Sequence, residues 1–238
     1  MSATDIVQEQ IVFAAQGRAI DGAIAYRILP DPTWACLLAG PHPMLGGEMG
    51  NNVIQALAQQ AAVAGAIALS FNYAGVGASE GGPNDWPKAV STFWRDATVP
   101  EESQWRHDTE AALDELARFD SSMPRVAIGY SFGCWTVAHA AAGRSIEALV
   151  LLSPNPARHD FAMLDDITAP VLLLHCDNEI ECSAERISKW YDTLREPKQQ
   201  CRIEAAEHFF RHRESDVWAA IMNFLTTRNV PGVGDLGR

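Results

Sequence analysis

The chain has 238 residues, 47% of them hydrophobic and 20% charged, which suits one α/β domain with a substantial buried core. Its net charge of −12 argues against nucleic acid and anionic membranes as partners. The five cysteines are odd in number and lack metal-ligand spacing, so they read as reduced thiols and not as a disulfide framework or metal site.

In chain order, residues 9–15 and 18–28 alternate loosely around Gln16-Gly17 and predict an antiparallel hairpin at one sheet edge. Residues 33–40 form a buried-strand run that enters the unpatterned loop Pro41-His42-Pro43-Met44-Leu45-Gly46-Gly47. A helix is expected near 51–64, stopped by Gly65, then a strand over 66–72 and a glycine-rich stretch from Tyr73 to Gly82. Residues 83–106 break the rhythm: Pro83, Pro87 and Pro100 interrupt a segment that still carries Trp86, Phe93, Trp94 and Trp105. This reads as a long loop. Helical spacing resumes over 107–119.

The later strands fall at 125–128, 147–152, 170–174 and 200–205, with helices near 134–142, 183–195 and from Ser215. Apolar strands alternating with helices predict a mainly parallel central sheet with helices on both faces. No linker divides the chain, so residues 1–228 are expected to form one domain and 229–238 a loose tail. No run reaches the length of a membrane span, and the first residues join neither a basic nor an apolar stretch. The expected compartment is the cytoplasm.

One stretch carries the chemistry: Gly129-Tyr130-Ser131-Phe132-Gly133 sits between a short apolar strand and an alanine-rich helix. Strand, G-x-S-x-G turn and helix together make a nucleophile elbow, with Ser131 as nucleophile. A serine nucleophile needs a base, and the base needs an orienting acid, in the chain order Ser, acid, His. His208 follows the last strand and is the candidate base; His212, between two arginines, is a weaker one. The acid is expected on a loop at the carboxyl end of a later strand, between Ser131 and His208. His42 and His175 at strand ends read as structural, His139 within the elbow helix reads as a satisfied core or surface histidine, and His107 and His159 have no motif around them. Gly75 and Gly77 lead to Pro83 instead of opening a helix, which speaks against a dinucleotide loop and a cofactor.

With these residues in place, the chain resembles the small, lidless, dienelactone-hydrolase-like α/β-hydrolases of bacteria. Five motifs recur in order: His42-Pro43-Met44-Leu45-Gly46-Gly47, Phe71-Asn72-Tyr73-Ala74-Gly75-Val76-Gly77-Ala78-Ser79-Glu80-Gly81, the elbow, His175-Cys176-Asp177-Asn178-Glu179 and His208-Phe209-Phe210. The resemblance covers roughly residues 34–226. It implies an α/β-hydrolase fold without a large cap domain, and hydrolysis through an acyl-enzyme without metal or organic cofactor. It also places Glu179 at the triad position and Asp177 at a structural one, with Asp177, closer to the strand end and of the usual side-chain length, as the other candidate acid. Three positions depart from the family pattern. Ala74 replaces an arginine and so removes an ion pair; Cys176 replaces a glycine, and Glu179 an aspartate.

The oxyanion hole is expected to use the backbone N–H of Phe132 and, since Pro43 has none, that of Met44, with Leu45 next. Trp86 and Trp94, with Phe209 beside His208, are the candidate substrate-binding residues; the other reading of the 83–106 aromatics is a hydrophobic cluster under a loop. The expected function is cleavage of a carboxylic ester or related small acyl compound. A non-catalytic binding protein on this fold, and thioester cleavage or acyl transfer by the same triad, are the alternatives.

Overall fold

A computed structural model describes residues 6–180 and 182–234. Strands β1 (Ile6–Ala15) and β2 (Arg18–Arg27) form the expected hairpin, joined by Gln16 and Gly17, both at positive φ, as a two-residue turn matching the strand twist requires. Six more strands follow: β3 (Trp34–Ala39), β4 (Ala66–Phe71), β5 (Arg125–Tyr130), β6 (Ala148–Leu152), β7 (Val171–Asn178) and β8 (Lys198–Glu207). They build one sheet in the order β1-β2-β4-β3-β5-β6-β7-β8, parallel from β4 through β8. The helices are α1 (Asn52–Val63), α2 (Trp86–Asp96), α3 (Glu102–Phe119), α4 (Phe132–Ala141), α5 (Ala184–Thr193) and α6 (Glu214–Thr227).

Strand periodicity sorts the core into two layers. On β3, Ala35, Leu37 and Ala39 pack with Phe93 of α2, Leu113 of α3 and Val137 of α4. Trp34, Cys36 and Leu38 point the other way, toward Leu57 of α1 and Ile221 of α6. Both faces being covered explains why these strands read as unbroken apolar runs.

Three expectations change. The supposed loop over 83–106 contains α2, and α3 begins at Glu102, well before residue 107. Asp85 caps α2 by accepting the Lys88 N–H at 3.0 Å, and Pro87 stands in the first turn, where no N–H is needed. A proline read as a breaker is therefore a helix start. Second, the chain past α6 packs back onto the fold: Val230 is buried in the core, and Thr33 Oγ1 donates to the Gly232 carbonyl at 2.8 Å. Residues 235–238 of the expected loose tail lie outside the described residues. Third, an ion pair is present beside Ala74 despite the missing arginine. Arg18 Nη2 meets the fully buried Asp108 at 3.0 Å, and Asp108 also accepts the Ala74 N–H at 2.9 Å. The cation comes from the hairpin.

Candidate active site

The two elbow glycines are set by contact. A Cβ on Gly129 would lie 2.3 Å from the Gly133 carbonyl oxygen, and one on Gly133 would lie 2.1 Å from that of Ala39. Neither position has room for a side chain. Between them Ser131 is held at φ 56°, ψ −117°, a backbone region that costs a non-glycine residue on the order of 1–3 kcal/mol. Its own N–H donates to the Leu152 carbonyl at 2.8 Å, which ties the turn to the neighbouring strand.

Around Ser131 stand the segments following the carboxyl ends of β3, β6, β7 and β8, the place where open parallel sheets present ligand sites. Pro41, Ser153, Glu179 and His208 come from these segments and, with Ser131, line a cavity of about 330 Å³. Its apolar wall includes Leu45, Trp94, Pro154, Ile180 and Phe209. A larger and more polar groove of about 550 Å³ lies between β1 and α1, bordered by Gln8, Gln55 and Asn72, and contains none of these residues.

Glu179 Oε2 lies 2.6 Å from His208 Nδ1, with the carboxylate only 3% exposed. Its other oxygen, Oε1, accepts from Ser153 Oγ at 2.6 Å and from the Cys176 N–H at 3.0 Å. Burial by itself would raise the pKa of this carboxyl, but the bonds from His208, Cys176 and Ser153 hold it below the ordinary value. The imidazole is steadied from behind, since Tyr130 Oη donates to the His208 carbonyl at 3.0 Å.

Asp177 is turned elsewhere. It pairs with Arg202 and accepts the Ala205 N–H at 2.8 Å. A register shift accompanies the split: β7 runs on past His175 opposite a bulge in β8, where residues 204–206 stand against Asp177 alone and Ala205 offers it an N–H, while Glu179 leaves the strand end toward His208.

The loop after β3 departs from expectation. The Met44 N–H donates to His42 Nδ1 at 3.1 Å, and the Leu45 N–H donates to the His42 carbonyl at 2.9 Å. Both expected donors are thus taken up by the loop itself. Among the described residues, no backbone carbonyl accepts the His42 N–H, immediately after Pro41 of the cavity wall, or the Phe132 N–H at the start of α4. Pro41 and Pro43 carried a signal for this, because His42 is the one residue between them with an N–H to offer.

Of the three aromatic candidates, Trp94 and Phe209 line the cavity. Trp86 does not; it packs half-buried against the core, while Phe93 and Trp105 lie wholly inside it. Ser153 was not legible as a site residue: a serine at a strand end carries no motif, and only the fold brings it to Glu179. Among the described residues, no group of histidine, cysteine and acidic side chains is arranged to hold a metal ion, and no helix is long and apolar enough to cross a membrane.

An eight-stranded, mostly parallel sheet flanked by helices, with a serine on a tight strand-to-helix turn, defines an α/β-hydrolase. Among the described residues, no cap domain interrupts it. The chain belongs to the dienelactone hydrolase family, whose model matches residues 44–227. It is 26% identical over 228 residues to an uncharacterized protein of Rickettsia prowazekii, covering 92% of this chain and 89% of the relative. Among solved structures, it is similar to an alpha-beta serine hydrolase homologue from Coxiella burnetii. That match has a TM-score of 0.78 and 21% identity, and it covers 91% of this chain and 97% of the other. It is also similar to an α/β serine hydrolase without a lid from Xanthomonas campestris, with a TM-score of 0.76 and 20% identity over 92% and 94% of the two chains.

Proposed function

We propose that the protein hydrolyses a small, uncharged carboxylic ester through an acyl-enzyme on Ser131. The observation that carries this reading is the 2.6 Å contact of Glu179 with His208 in the cavity that Ser131 lines. Glu179 keeps the His208 Nδ1 protonated, which leaves Nε2 free to take the Ser131 proton as Oγ attacks the ester carbonyl. The Phe132 and His42 N–H groups receive the oxyanion. Collapse expels the alcohol with the proton from His208; water, deprotonated by the same imidazole, then releases the acid and restores Ser131.

The substrate class follows from the lining. Apart from Glu179 and His208, the described lining residues are apolar or neutral, with no lysine or arginine. A carboxylate on the acyl group would enter beside Glu179 with no cation among the described lining residues to receive it. The volume sits at the low end for small-molecule sites, so the acyl group is short or flat.

Fluorophosphonate labelling, followed by turnover of p-nitrophenyl esters, tests both parts. Wild type should be labelled and Ser131→Ala should not. Neutral acyl esters should exceed length-matched esters ending in carboxylate by at least about tenfold in kcat/KM, a difference of about 1.4 kcal/mol. Labelling of Ser131→Ala would sink the mechanism, and equal turnover of the two ester series would sink the substrate class.

A further inference from the structure

Beneath the loop after β3 lies a second histidine–carboxylate cluster, distinct from the triad candidates. Glu102, in the first turn of α3, is 6% exposed. Its Oε1 lies 3.2 Å from His42 Nε2 and 3.3 Å from the Val99 N–H, and its Oε2 lies 3.1 Å from His159 Nε2. The Met44 N–H, donating to His42 Nδ1, leaves that nitrogen without a proton. His42 is therefore the Nε2–H tautomer and donates to Glu102.

The two rings reach the elbow. That of His42 packs on Phe132 with centroids 4.6 Å apart, and that of His159 lies 5.5 Å from Phe132 and stacks on Trp135 at 5.0 Å. One carboxylate thus joins the loop carrying the His42 N–H, the start of the elbow helix, and the segment after β6 that supplies Ser153, Pro154 and Asn155 to the cavity.

We propose that Glu102 is a positioning residue for the oxyanion hole, acting through His42. The proposal rests on the acyl-enzyme reading above. The carboxylate takes the His42 Nε2–H, the ring takes the Met44 N–H, and the loop is held with the His42 backbone N–H left for the oxyanion. Burial would raise the pKa of Glu102, but the bonds from His159 and His42 bring it down to about 2, so the acceptor stays ionised. A glutamine can replace it in part. Its amide oxygen still accepts from His42, while His159 changes tautomer to accept the amide hydrogen. Leucine leaves the His42 Nε2–H with nothing.

The test compares Glu102→Leu and Glu102→Gln with wild type, with rates counted per fluorophosphonate-labelled site so that unfolded protein does not enter. Removing a whole oxyanion donor costs about 10²–10³ in rate, so misplacing one should cost about 10- to 100-fold in kcat. The expected result for Glu102→Leu is that loss, KM within about threefold of wild type, and a matching loss of affinity for a trifluoromethyl ketone that forms a tetrahedral adduct. Glu102→Gln should recover most of it. If Glu102→Leu does not fold, Glu102→Asp, one methylene short of His42, should lose about tenfold in kcat at unchanged KM. A labelled wild type whose Glu102 variants keep kcat and ketone affinity overturns this inference alone. A wild type that is not labelled at all overturns the acyl-enzyme reading, and this inference with it.

Discussion

Two carboxylates two positions apart on one strand end have opposite surroundings. Glu179 is buried between His208, Ser153 and the Cys176 N–H, whereas Asp177 faces Arg202 across the sheet edge. A carboxylate that sets the tautomer of a catalytic imidazole can be worth about 10⁴ in kcat, because its loss lets the ring present the wrong nitrogen to the serine. Glu179→Gln should therefore lose about three to four orders of magnitude in kcat with an intact fold. Asp177→Asn should stay within about tenfold, since the backbone bond from Ala205 is open to an amide oxygen as well. Steady-state kinetics of the two variants at neutral pH measures both, and a crippling effect confined to Asp177→Asn would reverse the assignment.

At the scale of elements, α2 divides its aromatic residues between core and cavity. Phe93 is fully buried and packs against His42 and Trp94, while Trp94 is 69% exposed and lines the cavity wall. Truncating a buried phenylalanine typically costs about 3–5 kcal/mol, whereas an exposed tryptophan has little transfer energy to lose. Phe93→Ala should thus lower the melting temperature sharply. Trp94→Ala should leave it within a few degrees and change the relative kcat/KM of esters of graded acyl length. Thermal melts beside an ester panel separate the two; a large loss of stability in Trp94→Ala with unchanged preference would return Trp94 to a packing role.

Taken as a whole, the molecule holds two carboxylates, Glu102 and Glu179, ionised under its cover, and they favour loss of stability in acid, while the buried Asp108, whose pKa burial raises, acts with the opposite sign. Glu102 has a folded pKa of about 2 against an ordinary 4.5, and that of Glu179 is also lowered. Below their unfolded pKa values the unfolded chain binds more protons than the folded one, so their stabilisation is complete above about pH 4.5 and declines on acidification. For Glu102 the loss runs down through about pH 2. Burial also lowers the pKa of His42, against the partial support of Glu102, which adds a loss of the same sign starting near its ordinary 6.5. Wild type should therefore exceed Glu102→Gln in melting temperature at pH 7, and the Glu102 contribution to that gap should shrink as the pH falls from about 4.5 toward 2. A gap that widens with acid would contradict this sign.

Local chemistry made much of this protein readable. Apolar runs, capping signals and the Gly129-Tyr130-Ser131-Phe132-Gly133 string depend on neighbours in the chain, so the alternation of strands and helices, the elbow and His208 at a strand end could be read directly. Where a local signal had two meanings, the reading failed. Pro87 reads as a breaker or as a first-turn residue, and only Asp85, with its side chain on the Lys88 N–H, decided for a helix. The remainder depends on contacts between residues far apart in sequence. Glu102 meets His42 and His159 across 60 and 57 positions, Ser153 meets Glu179 across 26, and Arg18 supplies across 90 positions the cation that Asp108 needs. Such pairs leave no pattern in the sequence, because they are selected by the packed sheet that brings the strand ends together. Asp177 and Glu179 are of this kind: two like charges, separated by one residue, meet different partners only once β7 pairs with a bulged β8.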